Sequence, residues 1–100
     1  MNVDAKLKYN WAKTKGVIVK IVAVTQKGTN KQENEDRIVA GKSVIADGIF
    51  QTDISNGIIA IADGVGGNNA GAVASHFVAS RLSSLERATL EGLPLLTKNY

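Results

Sequence analysis

The chain has 100 residues and a formal net charge of +3, and its 44% hydrophobic and 21% charged residues are typical of one small globular domain. It contains no cysteine, which excludes disulfides and thiolate metal sites and favours the cytoplasm as its location. With few aromatic residues, no arginine cluster and no apolar segment of membrane-spanning length, the sequence favours neither nucleic acid nor a membrane as a partner.

The first twenty residues carry much of the excess positive charge. They contain one acidic residue, Asp4, and five lysines: Lys6, Lys8, Lys13, Lys15 and Lys20. We expect residues 1–16 to form a flexible basic tail, in which the large apolar side chain of Trp11 could be pinned to the rest of the domain. Such a tail could contact phosphate groups, although a solvated terminus is the simpler interpretation.

Apolar and polar segments follow one another through the next forty residues. Residues 17–25 are β-branched and nearly all apolar, which predicts a strand. Residues 26–36 are polar and contain a glycine, so we expect a loop. Two short apolar segments, 37–40 and 43–46, predict either a hairpin or one interrupted strand. Residues 47–57 are rich in turn-forming residues and predict a second loop.

Residues 58–62 are uniformly apolar and are followed directly by an aspartate and a glycine-rich stretch. The lack of alternation predicts a strand covered on both faces. Asp63 would lie at the carboxyl end of this strand, and Gly64 would let the backbone approach a ligand closely. A carboxylate and bare backbone between a strand and a helix could hold a cation. The alternative is an ordinary connection in which Asp63 hydrogen-bonds its own loop.

A helix is predicted over residues 70–87, with Asn68 and Asn69 as candidate capping residues. Its expected apolar face has residues three and four positions apart, namely Ala70, Val73, Ala74, Phe77, Val78, Leu82 and Leu85. Its expected outward face comprises Ser75, His76, Ser80, Ser83, Ser84 and Arg87. Gly92 and Pro94 would end the helix, and the leucines around them indicate a further packed segment.

Acidic residues are concentrated a second time in the loop before residue 37, which contains Glu33, Glu35 and Asp36. Together with Asp63 these carboxylates could form an oxygen-rich site, and oxygen ligands suit hard cations such as Mg²⁺ and Mn²⁺. The alternative is an acidic loop that is simply solvated.

Two motifs give this pattern a more specific meaning. Residues 28–36 contain a glycine, a basic residue (Lys31) and an Asn-Glu-Asp triplet that ends at Asp36. Residues 62–67 read Ala-Asp-Gly-Val-Gly-Gly, and Ala-Gly and Ala-Ser follow in the predicted helix. In order and context these motifs resemble those of the metal-dependent protein phosphatases of type 2C (the PPM family), in the form that its bacterial members carry. The resemblance covers about residues 17–90.

The resemblance implies roles for five residues. Asp63 matches the aspartate that bridges two divalent ions, Mg²⁺ or Mn²⁺, and Gly64 matches the residue whose carbonyl binds one of them. Glu35 and Asp36 match the acidic pair that contacts the metals directly or through water. Lys31 stands where the family usually has an arginine that binds the substrate phosphate. The implied reaction is hydrolysis of phosphoserine and phosphothreonine in a phosphorylated protein by a metal-activated water, with Asp36 and Asp63 as catalytic residues.

The sequence also departs from the family pattern. The lysine at position 31 keeps the charge of arginine but loses its bidentate fork. Asn68 stands where many members have histidine, and His76, which matches no family position, is expected on the surface. The stretch between Asp36 and Asp63 is longer than in compact bacterial members, which predicts an inserted loop. In the family, the remaining metal-binding aspartates come after the one that Asp63 matches. In this sequence no aspartate follows Asp63.

We therefore expect an α+β fold, with residues 17–100 forming the first part of the family's sandwich of two antiparallel sheets flanked by helices. About four strands and one long helix are expected, with a weak or partial metal site and no activity of these 100 residues alone. Uncovered apolar strands predict self-association. Two alternatives stay open: a non-catalytic fragment or interaction module of the same fold, and a small cation-binding domain unrelated to phosphatases.

Overall fold

The computed structural model describes residues 6–67 and 69–84 and the backbone of residues 98–99. In this part of the chain the fold is α+β, with antiparallel strands and one helix, as the sequence predicts. The elements in chain order are β1 (Lys6–Lys13), β2 (Val19–Thr25), β3 (Asp36–Ala40), β4 (Ser43–Ile45), β5 (Gly48–Ile54), β6 (Ile58–Val65), α1 (Ala70–Ser83) and β7 (Lys98–Asn99).

The strands form two sheets. One has five strands in the order β4-β3-β6-β1-β7, and the other is a two-stranded ribbon of β2 and β5. Helix α1 packs on one face of the larger sheet, where the core contains Trp11, Val39, Ile58, Ala60 and Ala79. The ribbon covers part of the opposite face through a second core built around Ala40, Ile45 and Ile54. The described layers are thus helix, sheet and ribbon.

The segment predicted as a basic tail is largely a strand. Strand β1 pairs with β6 over its whole length, and only residues 1–5 of the expected tail lie outside the described residues. The pairing is stabilised by Trp11, which lies opposite Ala60 and is 7% exposed, so the expected anchoring of this side chain is confirmed. The expectation of a flexible tail is wrong for Lys6–Lys13, because period-2 alternation puts Lys6 and Lys8 on one face and Tyr9 and Trp11 on the other.

The predicted loop at residues 47–57 is also wrong in part, because it contains strand β5. This strand pairs with all of β2 in antiparallel register, and it directs Phe50 and Ile54 into the second core. Before it, β3 and β4 form the hairpin that was one of the two expected arrangements, with Gly41 at a φ of 64°. The stretch between Asp36 and Asp63 therefore contains a hairpin and a ribbon strand instead of an inserted loop.

Strand β6 is longer and less covered than expected. It pairs with β3 as far as Asp63 and with β1 as far as Val65, so Asp63 lies within the strand and not after it. Its burial alternates: Ile58, Ala60 and Ala62 are buried towards the helix, whereas Ile61, on the opposite face, is 54% exposed. The expectation of cover on both faces is wrong here because the ribbon reaches only part of that face.

Helix α1 begins at Ala70 as predicted, with Asn69 at the N-cap position but without a side-chain capping hydrogen bond. Its buried face was predicted wrongly in part, although Leu82 packs against the core as expected. The buried residues are the small ones, Gly71, Ala72, Ser75 and Ala79, whereas Val73 and Phe77 are 67% and 59% exposed. The expected end at Gly92 and Pro94, the leucines around them and the capping role of Asn68 lie outside the described residues.

A close crossing of helix and sheet explains which helix face is buried. A Cβ atom added to Gly71 would lie 2.7 Å from the carbonyl carbon of Gly64 and from the amide nitrogen of Val65. Large side chains do not fit between the backbones at this crossing, so Gly71, Ala72 and Ser75 face the sheet there while Val73 and Phe77 face outward.

Within the described residues, no helix is both long and apolar enough to cross a membrane.

Candidate metal and phosphate site

The two aspartates singled out in the sequence meet in the structure. Asp36 on β3 is the register partner of Asp63 on β6, so both side chains lie on the sheet face opposite to the helix. They line a cleft of about 230 Å³ that also contains Gly64 and Lys31. Asp36 is half-buried and Asp63 is exposed, so the pair is accessible from the cleft.

Electrostatics at the pair favour a proton or another cation. Burial raises the pKa of Asp36 above its ordinary value of 3.8, and repulsion by the carboxylate of Asp63 and a hydrogen bond shared with it raise this pKa further. Glu35 adds to the repulsion, while Arg37 acts in the opposite direction. The pair is therefore short of positive charge, as is typical when two carboxylates share one site.

Asn34 fixes the loop that carries the acidic residues. Its side-chain amide donates to the Thr25 hydroxyl at 2.8 Å and to the Ala46 carbonyl at 3.0 Å, and its Oδ1 accepts from the Asp36 amide at 3.1 Å. One buried side chain thus ties the end of β2, the β4–β5 connection and the start of β3 together. The sequence indicated Asn34 only as a member of the triplet, because its role in holding the loop depends on hydrogen-bond partners that are distant in sequence.

Arg37 is a second supporting residue that the sequence did not single out. Arg37 is 6% exposed, and its Nη1 donates to the carbonyls of Asn34 at 2.6 Å and Asp36 at 2.8 Å. Its Nη2 lies 3.6 Å from a carboxylate oxygen of Glu33. These contacts hold the backbone on both sides of Glu35 and so fix where Asp36 enters the strand.

Glu35 lies beside the aspartate pair but is directed elsewhere. Its Oε1 accepts from the Lys31 amine at 3.0 Å, and its Oε2 is buried without a hydrogen-bond partner, where a Cβ atom on Gly71 would overlap it. Its carbonyl accepts from the Ser75 hydroxyl at 2.6 Å and from the Gly64 amide at 3.1 Å. Ser75, expected on the outward helix face, therefore supports the site.

The other predicted site residues have distinct positions. Lys31 lines the cleft, and its amine is already paired with Glu35. Gly64 is buried within β6, where its amide bonds to the Glu35 carbonyl and its missing side chain leaves room for the helix. His76 is exposed and lies 3.3 Å from the Ser80 hydroxyl, away from the cleft, which confirms that it is a surface residue.

Asp36 and Asp63 are the residues of the cleft that could serve as ligands for a hard cation. Asp36 and Asp63 offer carboxylate oxygens on neighbouring strands, and Mg²⁺ is commonly held by one or two carboxylates with water completing its shell. Among the described residues, however, no group of three or more histidine, aspartate or glutamate side chains is gathered as a metal cage. The two-ion site implied by the resemblance would need further ligands.

Comparison with protein-family models, with characterised proteins and with solved structures finds no match to this chain. The fold and the cleft are therefore interpreted from the chain's own residues and from the two motifs.

Proposed function

We propose that this chain is the N-terminal part of a type 2C, metal-dependent serine/threonine phosphatase domain, in which Asp36 and Asp63 hold a divalent cation, Mg²⁺ or Mn²⁺. The observation that carries the proposal is the register that puts these two aspartates opposite each other. They belong to the two separate motifs that carry the resemblance, and the fold brings both to one cleft.

The chain's own residues would divide the work as follows. Asp36 and Asp63 would hold the cation from neighbouring strands, and Asn34 and Arg37 keep the acidic loop in place. Bound there, the ion would activate a water molecule and neutralise charge on the phosphate. Phosphoryl transfer requires mainly positioning and electrostatic stabilisation, which suits a cleft built from fixed strands.

The proposed substrate is a phosphoserine or phosphothreonine side chain of another protein. The cleft is at the surface, and Lys31 at its edge provides a positive charge, with its amine 3.0 Å from Glu35. As a point charge, lysine would attract a phosphate without the paired hydrogen bonds that arginine provides.

A non-catalytic module of the same fold is the second candidate. The observation that favours it is the small number of ligands: within the described residues the carboxylate pair is not joined by a third metal-binding side chain. Such a module would keep the packing around Glu35 and Ser75 and bind cations only weakly.

Calorimetric titration with Mn²⁺ tests the proposal. We expect the wild-type chain to bind with a Kd on the order of 10⁻⁴–10⁻³ M, as cation sites with few charged ligands do. Asp63→Asn should abolish this binding. The matched control is Asp53→Asn, which changes an exposed aspartate on the ribbon and should leave binding unchanged. Equal binding by wild type and Asp63→Asn would refute the proposed site.

A further inference from the structure

Three charged residues lie in one row across the larger sheet. Lys8 on β1 is the register partner of Asp63 on β6, and Asp63 is the partner of Asp36 on β3. Register partners on antiparallel strands have side chains on the same face, with Cβ atoms roughly 4.5–5.5 Å apart. The row therefore places the Lys8 side chain on the same sheet face as the aspartate pair, on the side opposite to the hairpin.

Lys8 and Lys31 differ in whether their amines are already in an ion pair with a carboxylate. The Lys31 amine forms a 3.0 Å ion pair with Glu35. Lys8 is exposed, and in the described part of the chain its amine forms no such pair. Of these two lysines, one lining the cleft and one in the row with Asp63, Lys8 is thus the one whose amine is not in an ion pair among the described residues.

The charge balance changes when a divalent cation binds. Two carboxylates and one divalent ion sum to zero, so the positive charge of Lys8 next to Asp63 is then left uncompensated. The Lys8 side chain is flexible, so its ammonium group could then reach and hydrogen-bond a phosphate that is bound at the ion. Hydrogen bonds between charged partners are stronger than those between neutral ones.

We infer that Lys8 is a phosphate-binding residue of this site, contacting substrate phosphate oxygens once Asp36 and Asp63 hold a cation. The inference rests on the proposed function. It also gives the strand pairing of β1 a functional consequence, because only the observed register puts Lys8, and not Lys6 or Asn10, opposite Asp63.

The inference predicts effects of opposite sign on two ligands. Lys8→Ala removes a positive charge that repels the metal ion, so Mn²⁺ should bind roughly two- to fivefold more tightly. The same change removes a charged hydrogen-bond donor to phosphate, so inorganic phosphate should bind roughly tenfold more weakly in the presence of Mg²⁺. A side chain with a merely structural role would weaken both.

The experiment measures Mn²⁺ affinity by electron paramagnetic resonance of the free ion, and phosphate affinity by ³¹P NMR at saturating Mg²⁺. Lys8→Arg should retain phosphate binding, and Lys8→Gln, which keeps the length and polarity of the side chain, should behave like Lys8→Ala. The matched control is Lys6→Ala on the same face of β1, opposite Val65 and roughly 7 Å farther along the strand, which should change neither affinity.

The outcomes separate this inference from the proposed function. If Mn²⁺ binding depends on Asp63 but Lys8→Ala and Lys8→Gln leave phosphate affinity unchanged, the inference alone is overturned. The same holds if Lys6→Ala weakens phosphate binding as much, since a general basic field would then explain it. Wild-type protein without Asp63-dependent Mn²⁺ binding would overturn both.

Discussion

At the scale of single residues, Asp36 is the aspartate of the pair whose surroundings shift its pKa. Burial and the neighbouring carboxylates raise its pKa above 3.8, so the folded chain binds this proton more tightly than the unfolded chain does. The sequence identified Asp36 and Asp63 as partners through their motifs. It could not give their direct pairing, because strand register depends on contacts between segments far apart in the chain.

The pKa of Asp36 predicts how stability depends on pH. Without metal, the contribution of Asp36 to the free energy of unfolding should be largest below pH 3.8. This contribution should decrease as pH rises through the raised pKa of the folded state. Asp36→Asn should remove this decrease and stabilise the metal-free chain at pH 7. Urea denaturation between pH 3 and 7 measures the effect. If Asp53→Asn changes the profile equally, repulsion at the pair is not its cause.

At the scale of elements, the crossing of α1 and β6 determines how the acidic loop is held. Gly71→Ala would improve helix propensity by about 1 kcal/mol, but the added Cβ would lie 2.7 Å from the Gly64 carbonyl carbon. Steric overlap should dominate and destabilise the chain by about 1–3 kcal/mol. Urea unfolding checks the sign. The control Val73→Ala, at an exposed position of the same helix, should have an effect within about 0.5 kcal/mol.

Strand β1 gives a second prediction at this scale. Trp11→Ala should destabilise the chain by about 3–5 kcal/mol, because it leaves a cavity between the larger sheet and the helix. Chemical denaturation followed by circular dichroism measures this change, with the 73% exposed Ile18 changed to alanine as the control. Equal midpoints for the two variants would show that β1 does not pack against the core and that the segment is a tail.

The mistaken expectations about elements have physical causes. Alternation of lysine with Leu7, Tyr9 and Trp11 is a strand pattern, but the charge of the segment favoured a solvated tail. In the helix, the spacing of large apolar residues was used to predict the buried face. The helix backbone lies so close to β6 that the small residues Gly71 and Ser75 are buried instead. By contrast, β2 and the start of α1 were predictable, because their patterns are local and unambiguous.

At the scale of the whole molecule, apolar side chains are exposed on several faces. Val22, Val24 and Ile49 lie on the outer face of the ribbon, and Val73 and Phe77 lie on the outer face of the helix. Exposed apolar patches and unpaired strand edges favour association between chains. Self-association of these 100 residues therefore stays a prediction of the account.

Light scattering at micromolar concentration should give a mass above that of the 10.6 kDa monomer. Val24→Lys on the ribbon should lower the associated fraction, because a buried charge without a partner is unfavourable in an apolar contact. Val17→Lys, at an exposed position before β2, serves as the control. A wild-type chain that stays monomeric at high concentration would contradict this prediction.

The measurement that most directly tests the central claim is the position at which Mn²⁺ binds, read from paramagnetic broadening in ¹⁵N NMR spectra. At substoichiometric Mn²⁺, the account predicts that amide signals of residues 35–37 and 62–64 broaden first, while those around Asp53 stay sharper. Asp53 is exposed and pairs with Lys20, at the end of the ribbon away from Thr25, so it reports unspecific binding to acidic side chains. Broadening at Asp53 that equals or exceeds that at Asp36 and Asp63 would contradict the account.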